Sequence, residues 1–308
     1  MNYDLTEEQA VLQGSIEQLV ARHKTIPPGT VEFRLPGDTL ERDLVEGGYF
    51  EIAREEGMGP LEAVLLIEAV AQSPFTLEIA ASALVAPLVL AGRKLPRPIV
   101  LAQAPADGAI RFLSNKGTAL IDTGKDVRIV DLAGCDIEPV ESPFAYPLGV
   151  FKKPDFTSAP VAKDVSPEKL RHWWRVALAA EITGLAQATL DATVEYVKQR
   201  KQFGRAIGSF QAIHHRLSEC ATLVQSARML VRHAAWSGKP EGAAMAASFA
   251  QEAAAKVHYD AHQFHGAMGI TVECNLHFWT YRLKFIQGEL GGYTAQAQDA
   301  AEMLWGNS

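Results

Sequence analysis

Two short stretches gather the residues best able to do chemistry. The first is Arg200-Lys201-Gln202-Phe203-Gly204, followed by Phe210-Gln211. Arg200 carries a permanent, planar cation, and Gln202 and Gln211 add uncharged amide groups. Taken singly, Arg200 also reads as a helix-end cation that complements the dipole, and Gln211 as a surface residue. Phe203 and Phe210 read as turn or core packing. The second stretch is Gln263-Phe264-His265-Gly266-Ala267-Met268-Gly269-Ile270-Thr271-Val272-Glu273. Just before and within it, His258, His262 and His265 stand at i, i+4 and i+7 and share a helix face. That spacing suits a metal ion, but no nearby carboxylate pair completes a di-metal bundle signature, so no metal is expected. Cys135, Cys220 and Cys274 are far apart and form no CxxC, which predicts a reduced, cytoplasmic protein.

Helices must hold those residues. Ser166-Pro167-Glu168 is a helix start, with Ser at the N-cap and Pro at the first helical position. Nothing stops that helix before Arg200, which makes it about 50 Å long at 1.5 Å per residue. The next helix has apolar residues at Phe210, Ile213, Leu217, Cys220, Val224, Ala227, Val231 and Ala234, in alternating steps of three and four. The one after repeats the seam in small residues, at Ala243, Ala247, Ala250, Ala254, Val257, Ala261 and Phe264. Helices with such seams pack as an antiparallel bundle crossing at about 20°. Upstream, Thr6 and Gln9 fit a capping box, and residues 40–47, 60–72 and 76–90 read as further helices. Residues 98–102, 119–122 and 127–131 read as short strands, the last two joined at Asp122-Thr123-Gly124. The expected fold is therefore mainly α with a small β-domain: an N-terminal helical domain over 1–95, a middle β-domain over 96–162, and a helical bundle over 163–308.

Bulk properties remove some function classes. A formal net charge of −7 gives nucleic-acid binding no electrostatic support. The acidic opening MNYDLTEEQ is wrong for a secretory or mitochondrial leader. The longest apolar run, residues 79–92, is too short for a bilayer and contains Pro87, so it reads as a buried helix.

Tyr196, Arg200 to Gly204 and Phe210-Gln211, followed about fifty residues on by Gln263 to Glu273, closely resemble the C-terminal domain of acyl-CoA dehydrogenases. The YDLTEEQ opening is similar to that family's first helix, so the resemblance covers nearly the whole chain. It implies helices, then a β-domain, then a four-helix bundle, with FAD as cofactor and a dimeric or tetrameric assembly. It also implies a use for each corner residue. Arg200 would reach the FAD pyrophosphate of a neighbouring subunit through its planar fork. Gln202 and Gln211, with Phe210, would hold cofactor oxygens and surface, and Gln263, Gly266 and Ala267 would bring backbone N–H groups to the second phosphate.

The chain also departs from the family. The middle zone is short and lacks the Thr-Glu-Pro-like stretch that covers the flavin. Ala267 stands where a second Gly is usual. The family's catalytic carboxylate, which takes the α-proton of the acyl-CoA while the β-hydrogen leaves as hydride, matches Leu290, and the alternative position on the first bundle helix matches Trp174. Glu289 is one residue off and needs a register shift at the Gly288–Gly292 turn to reach substrate. Glu181 is expected to face a neighbouring helix. Short chains of this kind resemble one subunit of the heterotetrameric acyl-CoA dehydrogenases that bacteria use on sterol side chains. Such a subunit would contribute part of the FAD site, while a homologous partner supplies the base and electron-transfer flavoprotein accepts the electrons. The alternatives are a homo-oligomeric acyl-CoA dehydrogenase with Glu289 as a displaced base, and a non-catalytic or metal-binding helical scaffold.

Overall fold

The computed structural model of the protein describes residues 4–27 and 30–306. Its N-terminal layer holds α1 (Glu7–Arg22), α2 (Asp38–Glu46) and α3 (Pro60–Ala71), with a two-residue parallel pair, β1 (Leu35–Pro36) and β2 (Phe75–Thr76). The capping box at Thr6 is formed, the hydroxyl accepting from Gln9 N and the Gln9 amide oxygen accepting from Thr6 N. Residues 76–90 are not one helix, as the pattern predicts. β2 takes the first of them, and helix resumes near residue 80 with a π-turn at Ala81–Val85 running into α4 (Ala86–Val89). The Glu78 carboxylate causes that late start. It accepts from Ala81 N, Ser82 N, the Ser82 hydroxyl and Ile99 N, and so caps the turn.

Two three-stranded sheets follow. In one, β3 (Ile99–Gln103) pairs parallel to β5 (Thr118–Asp122), which pairs antiparallel to β6 (Val127–Asp131). β5 is the middle strand and is buried along its whole length. In the other, β8 (Leu148–Phe151) lies between β4 (Ile110–Arg111) and β7 (Ile137–Val140), antiparallel to both. Sequence pattern predicts β3, β5 and β6. It does not mark β4, β7 and β8, which span only two to four residues each.

The bundle begins with α5 (Pro167–Gln199), where the Ser166 hydroxyl accepts from Lys169 N. Its middle is buried on every side, by α3 on one face and by α6 (Gln211–Ser237), α7 (Pro240–His265) and α8 (His277–Ile286) on the others. Close approach requires small residues: a Cβ at Gly184 would lie 2.3 Å from the Glu68 carbonyl oxygen on α3. The predicted seams are real. Cys220, Val224, Ala227, Val231 and Ala234 are buried on α6, and Ala243, Ala247, Ala250, Ala254, Val257 and Ala261 on α7. A short hairpin, β9 (Lys201–Gln202) and β10 (Arg205–Ala206), joins α5 to α6, and α9 (Gly292–Trp305) closes the bundle against α7. Among the described residues no helix is long and apolar enough to cross a membrane.

Candidate functional site

The end of α5, the start of α6 and the end of α7 meet at one end of the bundle. Tyr196, in the last turn of α5, stacks on His265 with ring centroids 4.1 Å apart, and its hydroxyl donates to the His265 carbonyl at 3.4 Å. Arg216 on α6 pairs with buried Asp260 on α7 and lies over the Phe264 ring at 4.8 Å. These contacts bring the two sequence stretches side by side. The β9–β10 hairpin turns at Phe203 and Gly204, with φ of +52° and +80°. Two consecutive left-handed residues make a tight hairpin turn matched to strand twist.

Arg200, Gln202, Gln211 and Gln263 are all exposed around this corner, as are Gly266 and Ala267. Among the described residues, none of the four long side chains has a hydrogen bond or ion pair within the chain. Phe210 differs from them: it is half-buried, with Arg205 stacked over its ring at 4.1 Å and Phe203 edge-on at 6.1 Å. Gly266 ends α7 with φ of +58°, and a Cβ there would meet nothing within 4 Å. Its backbone conformation therefore demands Gly, and the space beside it is open. An unpaired guanidinium, three free amides and an open glycine turn fit a phosphate-bearing group such as FAD. Two of the histidines bond backbone: His258 Nδ1 lies 3.2 Å from the Thr280 carbonyl and His265 Nδ1 lies 2.8 Å from that of Ala261. Burial pushes His258, His262 and His265 down, His262 to about 4. Among the described residues no three metal-ligating side chains converge.

A second constellation lies half-way up α5. A cavity of about 570 Å3 opens between the 101–111 segment and the 285–291 turn, walled by Leu101, Ile110, Trp174, Phe285 and Leu290. At its floor Arg111, on β4, bridges two carboxylates. Its Nη1 donates to Glu181 Oε2 at 2.6 Å, and its Nε lies 2.5 Å from Glu289 Oε1. The Tyr146 hydroxyl donates to Glu181 Oε1 at 2.7 Å. Trp174 Nε1 reaches Glu289 Oε2 at 3.4 Å. Glu181 thus faces the β-layer, correcting the expectation that it faces a neighbouring helix; the reason is the buried cation on β4. Glu289 reaches the cavity because the turn after it is left-handed three times running, at Leu290, Gly291 and Gly292. Burial raises the Glu289 carboxyl, and Arg111 only partly offsets that. Burial also lifts Tyr146 well above the usual phenol range. Arg111 is pulled down by burial, but Glu181 and Glu289 more than reverse the effect. Sequence reading missed Arg111, Tyr146 and Arg282, the last buried with its guanidinium on the Ser73, Phe75 and Phe278 carbonyls. No local pattern marks them, since their partners are remote in the chain.

With this geometry in place, comparison with known proteins is informative. Residues 168–289 match the family model described as the acyl-CoA dehydrogenase C-terminal domain. Acyl-CoA dehydrogenase IpdE2 of Mycobacterium tuberculosis is 41% identical over 107 residues, which are 35% of this chain and 34% of that protein. The chain matches about a third or less of the length of the curated relatives found first. Among solved structures, a chain of the ChsE4-ChsE5 complex from Mycobacterium tuberculosis superposes with a TM-score of 0.77 at 21% identity, covering 99% of both chains. A variant of the steroid ACAD Tcur3481-Tcur3483 gives 0.74 at 23% identity, over 98% of both. At such identities the superpositions establish a shared fold.

Proposed function

We propose that this chain, which shares the acyl-CoA dehydrogenase fold and matches that family's C-terminal domain model over residues 168–289, is one subunit of an FAD-dependent acyl-CoA dehydrogenase. It desaturates an acyl-CoA thioester between its α and β carbons, in the cytoplasm, together with a second, homologous chain. The observation that carries this reading is the exposed and unpaired set of Arg200, Gln202, Gln211 and Gln263 around the Gly266 turn. The corner lies about 28 Å along α5 from Glu181, at 1.5 Å for each of the intervening residues. Its groups are therefore too far from this chain's own cavity to share a site with it, which supports their use by a neighbouring chain.

Bound FAD would supply the hydride acceptor. Arg200 would hold a phosphate through its fork, and Gln202, Gln211 and Gln263 would donate to neutral or anionic oxygens without adding charge. The Gly266 and Ala267 N–H groups would be available to the second phosphate. Phe210, fixed under Arg205, gives the corner an apolar wall. The α-proton must go to a carboxylate with a free lone pair within hydrogen-bond reach. Glu289 is bonded to Arg111, which supports the reading that the partner supplies the base. A bulky acyl group is the substrate this reading expects, by analogy with the steroid ACAD of the same fold, and electron-transfer flavoprotein is the expected acceptor.

A homo-oligomer with Glu289 as its own base is the second reading, favoured by that side chain's place on the cavity. Flavin content separates the two. The chain should purify nearly colourless alone and with FAD when co-expressed with its homologous partner. One FAD per chain in the protein expressed alone would sink the two-subunit reading and support the homo-oligomer.

A further inference from the structure

We propose that Arg111 is a latch on Glu289: a positioning residue that keeps this chain's own cavity from abstracting a proton. The inference deepens the two-subunit reading and rests on it.

Two carboxylates line the cavity, Asp107 and Glu289. Asp107 is on the exposed rim. Glu289 is at the floor, its side chain 14% exposed, beside the 13% exposed side chain of Arg111. A general base needs an unshared lone pair turned toward the carbon acid. Glu289 meets the guanidinium edge with both oxygens: Nε to Oε1 at 2.5 Å and Nη2 to Oε2 at 3.2 Å, with Trp174 Nε1 also on Oε2. A two-point fork of this kind is the strongest hold a side chain has on a carboxylate.

The latch cannot swing aside on its own. The remaining nitrogen, Nη1, is spent on Glu181, which the Tyr146 hydroxyl holds from the other side. Arg111 is held between Glu181 and Glu289, and both carboxylates act on its charge. Glu289 is also pinned through its backbone. Gln251 Nε2 donates to the Glu289 carbonyl at 2.8 Å and Gln296 Nε2 donates to the Leu290 carbonyl at 2.5 Å. Removing Arg111 leaves a carboxylate that faces the cavity and keeps only the Trp174 N–H.

Proton abstraction can be read without oxidation. A free carboxylate takes the α-proton of a bound saturated thioester, and the C–H electron pair moves into the thioester carbonyl. The carboxyl exchanges that proton with D2O and returns a deuteron to the same carbon, so no electron acceptor is needed. The full chain is incubated in D2O with octanoyl-CoA or 3-cyclohexylpropanoyl-CoA, and α-deuterium is measured by mass spectrometry. Wild type should stay within twofold of buffer. Arg111→Leu should exchange at least tenfold faster, and Arg111→Leu with Glu289→Gln should fall back to buffer. Arg111→Lys keeps the charge and loses the fork, so it should exchange less than Arg111→Leu. It must still exceed wild type threefold, and it serves as the test if Arg111→Leu does not fold. Exchange by wild type that Glu289→Gln abolishes would overturn the latch, and so would a folded Arg111→Leu with no exchange. Flavin content of the lone chain is a separate measurement, so failure of the two-subunit reading is not confused with failure of the latch.

Discussion

Arg200 ends α5 with a free guanidinium, although Glu195 sits within the same last turns and pairs instead with Lys198 at 2.7 Å. Its backbone is satisfied, N to the Tyr196 carbonyl and O to Ile207 N, both at 2.8 Å. The side chain is therefore dispensable for the fold and available for a ligand. Arg200→Ala should weaken flavin retention in the assembled protein by about 1.5–3 kcal/mol, on the order of ten- to a hundredfold in Kd. Helical circular dichroism should not change. Loss of the helical signal would make Arg200 structural and remove the main support for the corner as a cofactor contact. The corner was readable in sequence because its residues are neighbours along two short stretches. The Arg111 cluster was not, because its bonds join residues 70 and 178 positions apart. Glu289 looked misplaced by one residue until the left-handed turn at Leu290 showed how its side chain swings inward.

At the level of helices, packing distance sets which residue is tolerated. At Gly184 an added Cβ would meet the Glu68 carbonyl oxygen at 2.3 Å and the Ala71 Cβ at 2.8 Å. Both belong to α3, and a backbone oxygen in a helix has little room to move. Gly184→Ala gains up to about 1 kcal/mol of helix propensity, but overpacking costs about 1–3 kcal/mol, so the net effect should be a lower urea midpoint. Gly14 on α1 is the control: nothing lies within 4 Å of a Cβ there, and Gly14→Ala should stabilise by about 0.5–1 kcal/mol. Equal midpoint shifts for the two would refute the packing argument. The same close approach explains what could be read of the fold. The long helices announce themselves by Ser166-Pro167 and by seams that repeat because one face is buried again and again. β4 spans two residues and β7 and β8 four each, too few for a period, and the π-turn depends on the carboxylate of Glu78 rather than on its own sequence.

Over the whole molecule, acid stability should be governed by histidines that fold in neutral. His172 is 6% exposed, with neither ring nitrogen bonded among the described residues. Burial, with a smaller push from Arg175, takes it down to about 4, and His262 likewise falls to about 4. In the unfolded chain such groups titrate near 6.5. As pH falls below that value the unfolded state takes up protons first, so the stability present above pH 6.5 is lost progressively down to about pH 4. For His172 this amounts to about 3 kcal/mol at most. Glu68, Glu78 and Glu289 work in the opposite sense: burial raises each of them. The native state protonates these carboxyls first, and their contribution weakens as pH rises from the unfolded value through the raised one. The net profile mixes the two groups, so a difference between variants isolates one histidine. His172→Leu removes two unsatisfied buried nitrogens and should be at least as stable as wild type at pH 7.5, by up to about 1–3 kcal/mol. Between pH 7.5 and pH 5 it should lose clearly less stability than wild type, read from urea midpoints at the two pH values. Parallel losses in the two proteins would show that His172 is not protonated on unfolding in this range, and the acid limb would then have to come from other groups.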